Sequence, residues 1–114
     1  MGLDQYGYSK DSKGNEVDLQ YWRKHNALEG WMDDLYKYKG NSGDGNGKMM
    51  ELYESDIDRL EEDVTSMQLP YTQGFFFGAD SSNCETKRGR DLVFIKKARE
   101  EFEKGNRVFY SSNW

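Results

Sequence analysis

The stretch Tyr21-Trp22-Arg23-Lys24-His25-Asn26-Ala27-Leu28-Glu29-Gly30-Trp31-Met32 constrains this chain more than any other. It sits in the longest uninterrupted helical pattern, residues 18–39, and carries two of the three tryptophans and the only histidine. At about 100° per residue, Tyr21, Leu28, Trp31, Met32 and Leu35 fall on one apolar arc, the stripe a helix turns to its core. Trp22, Asn26, Glu29 and Asp33 form a second, polar stripe, with His25 and Asp18 beside it. A tryptophan in a polar stripe has two uses. Another part of the fold covers it, or it floors a binding surface, its ring supplying area while its N–H takes a partner. A lone histidine without a cysteine or second histidine nearby reads as a packing or surface residue, and His25 with Glu29 as an i,i+4 helix contact.

A chain of 114 residues makes one domain, residues 1–114, with a Gly-rich connection near 40–48. Hydrophobic residues make up only 35%, yet six Phe, eight Tyr and three Trp are present, so the core is expected to be aromatic. The net charge of −5 argues against nucleic acid as a partner and leaves a basic partner open. A single Cys84 fits a reducing, cytoplasmic setting. No apolar run reaches membrane-spanning length, no signal-peptide layout is read, and Tyr6 stands where an N-myristoylation motif needs Ser or Thr.

In chain order, residues 2–9 read as a strand whose glycines mark a bulge or close backbone approach. Residues 10–17 read as a turn, Asp18 as the cap of the long helix and Gly40 as its left-handed terminator. Segment 41–48 resembles a calcium loop only superficially: with Asp44, Asn46 and Gly47 aligned, Ser42 and Tyr53 replace the first and last acidic ligands. No metal and no cofactor is implied. Residues 48–53 read as a strand. A helix then starts at Ser55, with Asp58 completing a capping box, Ile57, Leu60, Val64 and Met67 as its stripe, and Pro70 as its stop. Glu51, Glu54, Asp56, Asp58, Glu61, Glu62 and Asp63 face only Arg59 in this region. That is a solvated face, or a surface for a basic partner.

Residues 73–78, containing Phe75-Phe76-Phe77, read as a covered strand, and 79–90 as a polar loop. Asp91 is read as the cap of a third helix facing inward through Phe94, Ile95, Ala98 and Phe102, with Lys96–Glu100 and Lys97–Glu101 pairs outside. Gly105 ends it, and 107–114 form the last strand. The expected order is β-α-β-α-β-α-β. The expected fold class is α+β, with three helices packed on a small, mainly antiparallel sheet of about four short strands near 2–9, 48–53, 73–78 and 106–112. Parallel pairing of the two terminal strands stays open.

Met1-Gly2-Leu3-Asp4 with Tyr6, then residues 21–32, then Leu69-Pro70-Tyr71-Thr72-Gln73-Gly74-Phe75-Phe76-Phe77-Gly78-Ala79-Asp80, then Tyr110-Ser111-Ser112-Asn113-Trp114 form an ordered set. Together they resemble a family of small, largely uncharacterised proteins from tailed phages and bacteria that begin Met-Gly-Leu-Asp. The resemblance implies a phage origin and an accessory, non-virion role in the host cytoplasm, and no particular chemistry. Relatives of this kind often carry His where this chain has Glu29. Some bear an automatic phosphoglycerate kinase label, but one small domain without a Gly-rich phosphate loop lacks the two lobes that reaction needs.

Three functions follow from different classes. A non-catalytic binding module for a host protein or small molecule would use Trp22, Asn26, Glu29, Asp80, Tyr110 and Ser111 around one concave patch, the alternative being a polar network that pins helix to sheet. An acidic inhibitor would cover a basic host surface with segment 51–63. A small enzyme would use His25, Glu29 and Asp80, with Ser111 or Ser112 from the last strand.

Overall fold

The computed structural model of the chain describes residues 3–23, 25–40, 49–66 and 84–113, with side chains of the last segment described from residue 89. Strand β1, Asp4–Lys10, runs into a tight turn held by one carboxylate. Asp11 Oδ1 accepts from the amides of Lys13 (2.8 Å) and Asn15 (2.9 Å), while Gly14 takes φ +85°. The chain returns as β2, Glu16–Arg23, antiparallel to β1 from Lys10↔Glu16 to Asp4↔Arg23. The expected helix over 18–39 is therefore two elements. Asp18 caps nothing; it lies in β2 opposite Tyr8, and helix α1, Asn26–Tyr38, starts only after His25.

The physical reason lies in the register. It shifts between Gly7 and Tyr8, which leaves Leu19 without an opposite residue. A bulge of this kind offsets the alternation by one, so Leu19 and Trp22 both turn inward. Two buried residues three apart imitate a helical period, and the Asp11 turn decides for the strand.

Helix α1 ends as its sequence suggests, with Gly40 at φ +94°. Strand β3, Met49–Leu52, then leads into helix α2, Glu54–Thr65. Its cap lies two residues upstream of the expected Ser55–Asp58 pair: Tyr53 is the N-cap, and the Asp56 carboxylate accepts from the Tyr53 amide at 2.9 Å. Ile57, Leu60 and Val64 are buried as expected. Helix α3, Cys84–Glu103, takes in residues 84–90, expected as loop, and leaves Asp91 inside the helix instead of at its cap. Phe94, Ile95 and Ala98 are buried and Phe102 packs beside them. Glu101 is not on the outside with Lys97. Its side chain is buried and accepts the Ser9 hydroxyl at 2.6 Å, with Lys104 and Asn106 as further donors. Gly105 turns the chain at φ +80° into β4, Arg107–Asn113.

The sheet order is β2-β1-β4-β3, antiparallel throughout, and the terminal strands pair from Asp4↔Asn113 to Lys10↔Arg107. The structure is thus α+β, three helices against a four-stranded antiparallel sheet, in the order β-β-α-β-α-α-β. Its fourth strand is β2; the strand expected at 73–78, segment 41–48, Met67, Pro70 and residues 79–83 lie outside the described residues.

One face of the sheet carries the helices. Val108, Tyr110, Met50, Leu52 and Trp22 join Leu28, Met32, Leu60, Phe94 and Ile95 in a single core. Gly7 shows why no larger residue fits its place in β1, since a Cβ there would overlap the Phe94 ring. On the opposite face Tyr8 stacks on Phe109, with ring centroids 5.6 Å apart. Among the described residues no helix is long and apolar enough to cross a membrane.

Candidate functional site

Alternation along β1 points Gln5 to the helices, and the bulge in β2 does the same for Trp22. Both side chains are fully buried, so their polar atoms need partners. Gln5 reads the backbone of the β2–α1 junction: its Oε1 accepts from the His25 amide (2.9 Å) and its Nε2 donates to the His25 carbonyl (3.0 Å). The same Nε2 lies 3.0 Å from the Tyr110 hydroxyl on β4. That hydroxyl also accepts from Ser112 and donates to Glu29 Oε1 of α1 at 2.7 Å. Burial, then the Glu29 charge and its hydrogen bond, hold the Tyr110 phenol well above its usual pKa, so it remains a donor.

A second branch reaches α3. Asp91, 1% exposed, accepts from Trp22 Nε1 and faces His25 Nε2, each at 2.8 Å. Phe94 meets the Trp22 ring edge-on at 5.1 Å. Nδ1 of His25, on the other side of the ring, has no hydrogen-bond partner among the described residues. The two branches meet at His25 and bind β1, β2, α1, α3 and β4 into one polar junction.

Beside this junction a cleft opens between α1 and the β3–β4 edge. Helix α1 gives it Glu29, Met32, Asp33 and Tyr36; β3 gives Met50; β4 gives Tyr110 and Ser112. It spans about 250 Å³, open solvent included. The Glu29–Tyr110–Ser112 hydrogen bonds form its floor, so the floor is held from below by Gln5. Among the described residues no group of three or more His, Cys, Asp or Glu is placed to hold a metal ion.

Of the residues singled out from sequence, the structure gathers Trp22, Asn26, Glu29 and Tyr110 in the buried region between helix and sheet, with His25. Glu29 and Tyr110 also line the cleft. Ser111 points the other way, hydrogen-bonded to Tyr8 on the opposite face, whereas Ser112 is the serine beside Tyr110. Asp80 lies outside the described residues. Sequence reasoning missed Gln5, Asp91, Asp33 as a lining residue, Tyr36 and Met50. Asp91 carried a signal: it stands three, four and seven residues before Phe94, Ile95 and Ala98, on their stripe.

The acidic run 51–63 is largely engaged within the molecule. Glu51 takes two bonds from Arg107, Asp56 pairs with Lys39, Asp58 and Glu61 share Arg99, and Asp63 accepts from Trp31 Nε1 at 2.7 Å.

Fold and site together define a small α+β domain, its helices fastened to the sheet by buried polar bonds, with an acidic and aromatic cleft between α1 and the β3–β4 edge. Comparison with known protein families, with curated proteins and with solved structures finds no match.

Proposed function

We propose that this is a phage-type accessory protein acting in the host cytoplasm as a non-catalytic binding module, capturing a host protein or a small molecule in the α1/β3–β4 cleft. The cleft carries this reading. It combines thioether and ring surface from Met32, Met50 and Tyr36 with the polar groups of Glu29, Asp33 and Ser112, the mixture of apolar area and few oriented polar atoms that suits recognition. Its floor is fixed by hydrogen bonds before any ligand arrives, which lowers the ordering cost of binding. The acidic-inhibitor alternative draws less support, because Arg107, Lys39 and Arg99 of this same chain already take up much of the 51–63 charge.

Native mass spectrometry of the purified protein, before and after exposure to infected-cell extract, tests the proposal. The expected result is a retained species that Asp33→Lys, a change at the cleft wall, abolishes. A species retained equally by wild type and Asp33→Lys, or none at all, overturns it.

A further inference from the structure

The helices lie on one face of the sheet, and the other face carries a charge pattern of its own. We infer that this outer face is a self-association surface, on which a second copy of the chain docks face to face about a two-fold axis running across the strands. The inference is independent of the cleft, which opens on the helix side. On β1, Gln5, Gly7 and Ser9 turn inward, so Asp4, Tyr6, Tyr8 and Lys10 turn outward. Residues directly opposite in an antiparallel pair share a face, so the register places their β2 neighbours there too. At one end of the strands Arg23 lies beside Asp4, and at the other Glu16 lies beside Lys10. Between these ends Tyr21 lies beside Tyr6, with ring centroids 5.5 Å apart, and Asp18 beside Tyr8. Tyr6 and Tyr21 are both exposed, aromatic surface that folding leaves in water.

The signs at the two ends decide how a copy can sit. Read from β2 to β1, one end is plus then minus (Arg23, Asp4) and the other is minus then plus (Glu16, Lys10). An axis across the strands, passing between Tyr6 and Tyr8, turns the second copy end for end and keeps each strand over its own counterpart. Arg23 then faces Glu16 of the second copy, and Asp4 faces its Lys10. By symmetry each pair occurs twice, while Tyr6 meets Tyr8 in the middle. An axis along the strands puts β1 over β4 and β2 over β3 instead. Lys10 would then face Arg107, and Asp18 would face Glu51, like against like. Four strands about 4.8 Å apart and seven residues of about 3.4 Å each give a footprint of roughly 450 Å² per copy. Twice that lies at the small end of specific interfaces, so the dimer is a weak one, dissociating at micromolar concentrations or above.

The test is sedimentation velocity of the full chain from about 10 μM to about 1 mM at low salt, the range in which so small an interface associates. The sedimentation coefficient should rise with concentration toward that of a dimer, and about 0.5 M salt should reverse the rise by screening the end pairs. Glu16 and Arg23 are exposed at the two ends of β2, so charge reversal there leaves the fold intact, which circular dichroism checks. Arg23→Glu and Glu16→Arg each turn two attractions into two repulsions, and each should weaken the dimer at least about tenfold. The first variant has both β2 ends negative and the second has both positive. An equimolar mixture of the two should therefore dimerise to within about threefold of wild type, although neither does so alone. The double variant R23E/E16R should likewise recover, since it restores opposite signs at the two ends. A chain that stays monomeric to about 1 mM overturns the inference and leaves the face to a different occupant. A dimer that ignores both single variants places the interface elsewhere and overturns it as well. Weakening in the single variants without recovery in the mixture or the double variant overturns the axis.

Discussion

Asp91→Ala should be the most damaging single polar substitution in this protein. The carboxylate is 1% exposed, and its two oxygens serve Trp22 Nε1 and His25 Nε2 at 2.8 Å each. Removing it strands two buried donors from two different elements, each costing about 1–3 kcal/mol when left without a partner. Allowing for local relaxation, the loss should be about 3–5 kcal/mol, comparable to breaking a buried charge pair by deleting one member. At roughly 4 °C per kcal/mol for a domain of this size, the melting point should fall by about 12–20 °C. Asp91→Asn separates charge from shape. Its amide can accept from Trp22 through oxygen, but its NH₂ then meets Nε2, and the imidazole must carry its proton on Nδ1, which has no partner among the described residues. The cost should therefore be intermediate, about 1–3 kcal/mol. Urea denaturation followed by far-UV circular dichroism and tryptophan fluorescence gives both numbers, and coincidence of the two probes checks that unfolding is two-state. A Trp22→Phe, Asp91→Ala double mutant should lose less than the sum of the singles, since each removes the same bond. If Asp91→Ala costs under about 0.5 kcal/mol, the range of ordinary surface changes, the junction does not hold the helices to the sheet.

Three further outcomes follow from the same geometry. Asn26→Ala, at a fully buried site in the first turn of α1, should cost about 1–3 kcal/mol in urea melts and leave ligand retention by the folded protein unchanged, because Asn26 does not line the cleft. Gly7→Ala should cost about 1–3 kcal/mol, because the new methyl overlaps the Phe94 ring and the core must shift to admit it; a midpoint equal to wild type would contradict the close approach of β1 to α3. The Ser9 hydroxyl, with Lys104 and Asn106, holds the Glu101 carboxyl below its usual range, so its stabilisation is complete above the unfolded value of about 4.3 and is lost as pH falls through the lower folded value. Urea midpoints measured downward from about that pH should decline, and Glu101→Gln should shrink the slope without removing it, because Arg107 depresses Glu51 in the same direction.

The parts of this fold legible in the sequence are those where local and tertiary demands agree. Gly40 and Gly105 sit at positive φ where the chain was expected to leave a helix, and the Ile57-Leu60-Val64 and Phe94-Ile95-Ala98 stripes face the core. Strands β1, β3 and β4 fall close to the segments that alternation marks. Residues 16–23 were not legible, for a specific reason. Without Leu19 as an extra residue, β2 would show a period of two, and its helical appearance is the product of one bulge. The information that overrules it is non-local: pairing with β1, which itself pairs with β4 at the far end of the chain. A window of a dozen residues cannot contain that contact.

The same limit explains why the site was only half visible. Trp22, Asn26, Glu29 and Tyr110 stood out in the sequence, but the groups that bond Trp22, His25 and Tyr110 come from Asp91 and Gln5, 20 or more residues from His25 in sequence. Asp91 looked like a helix cap because a short acidic side chain after a polar run usually is one; burial, not propensity, made it a hydrogen-bond hub. Composition gives the reason such a hub is needed. With 35% hydrophobic residues the chain has few aliphatic side chains to hold three helices on four strands. Bonds that cross elements, Gln5 to the His25 backbone, Asp91 to Trp22, Tyr110 to Glu29 and Ser9 to Glu101, add the directionality that a small core lacks. That core is mainly aliphatic, Leu, Ile, Val and Met around Trp22, Phe94 and Tyr110, and not the aromatic one that composition suggests. One of those bonds, Tyr110 to Glu29, also forms the floor of the cleft. Under the proposed function stability and recognition share a pair of side chains, and a substitution at Glu29 or Tyr110 will disturb both, which is why the cleft is best tested from its wall at Asp33.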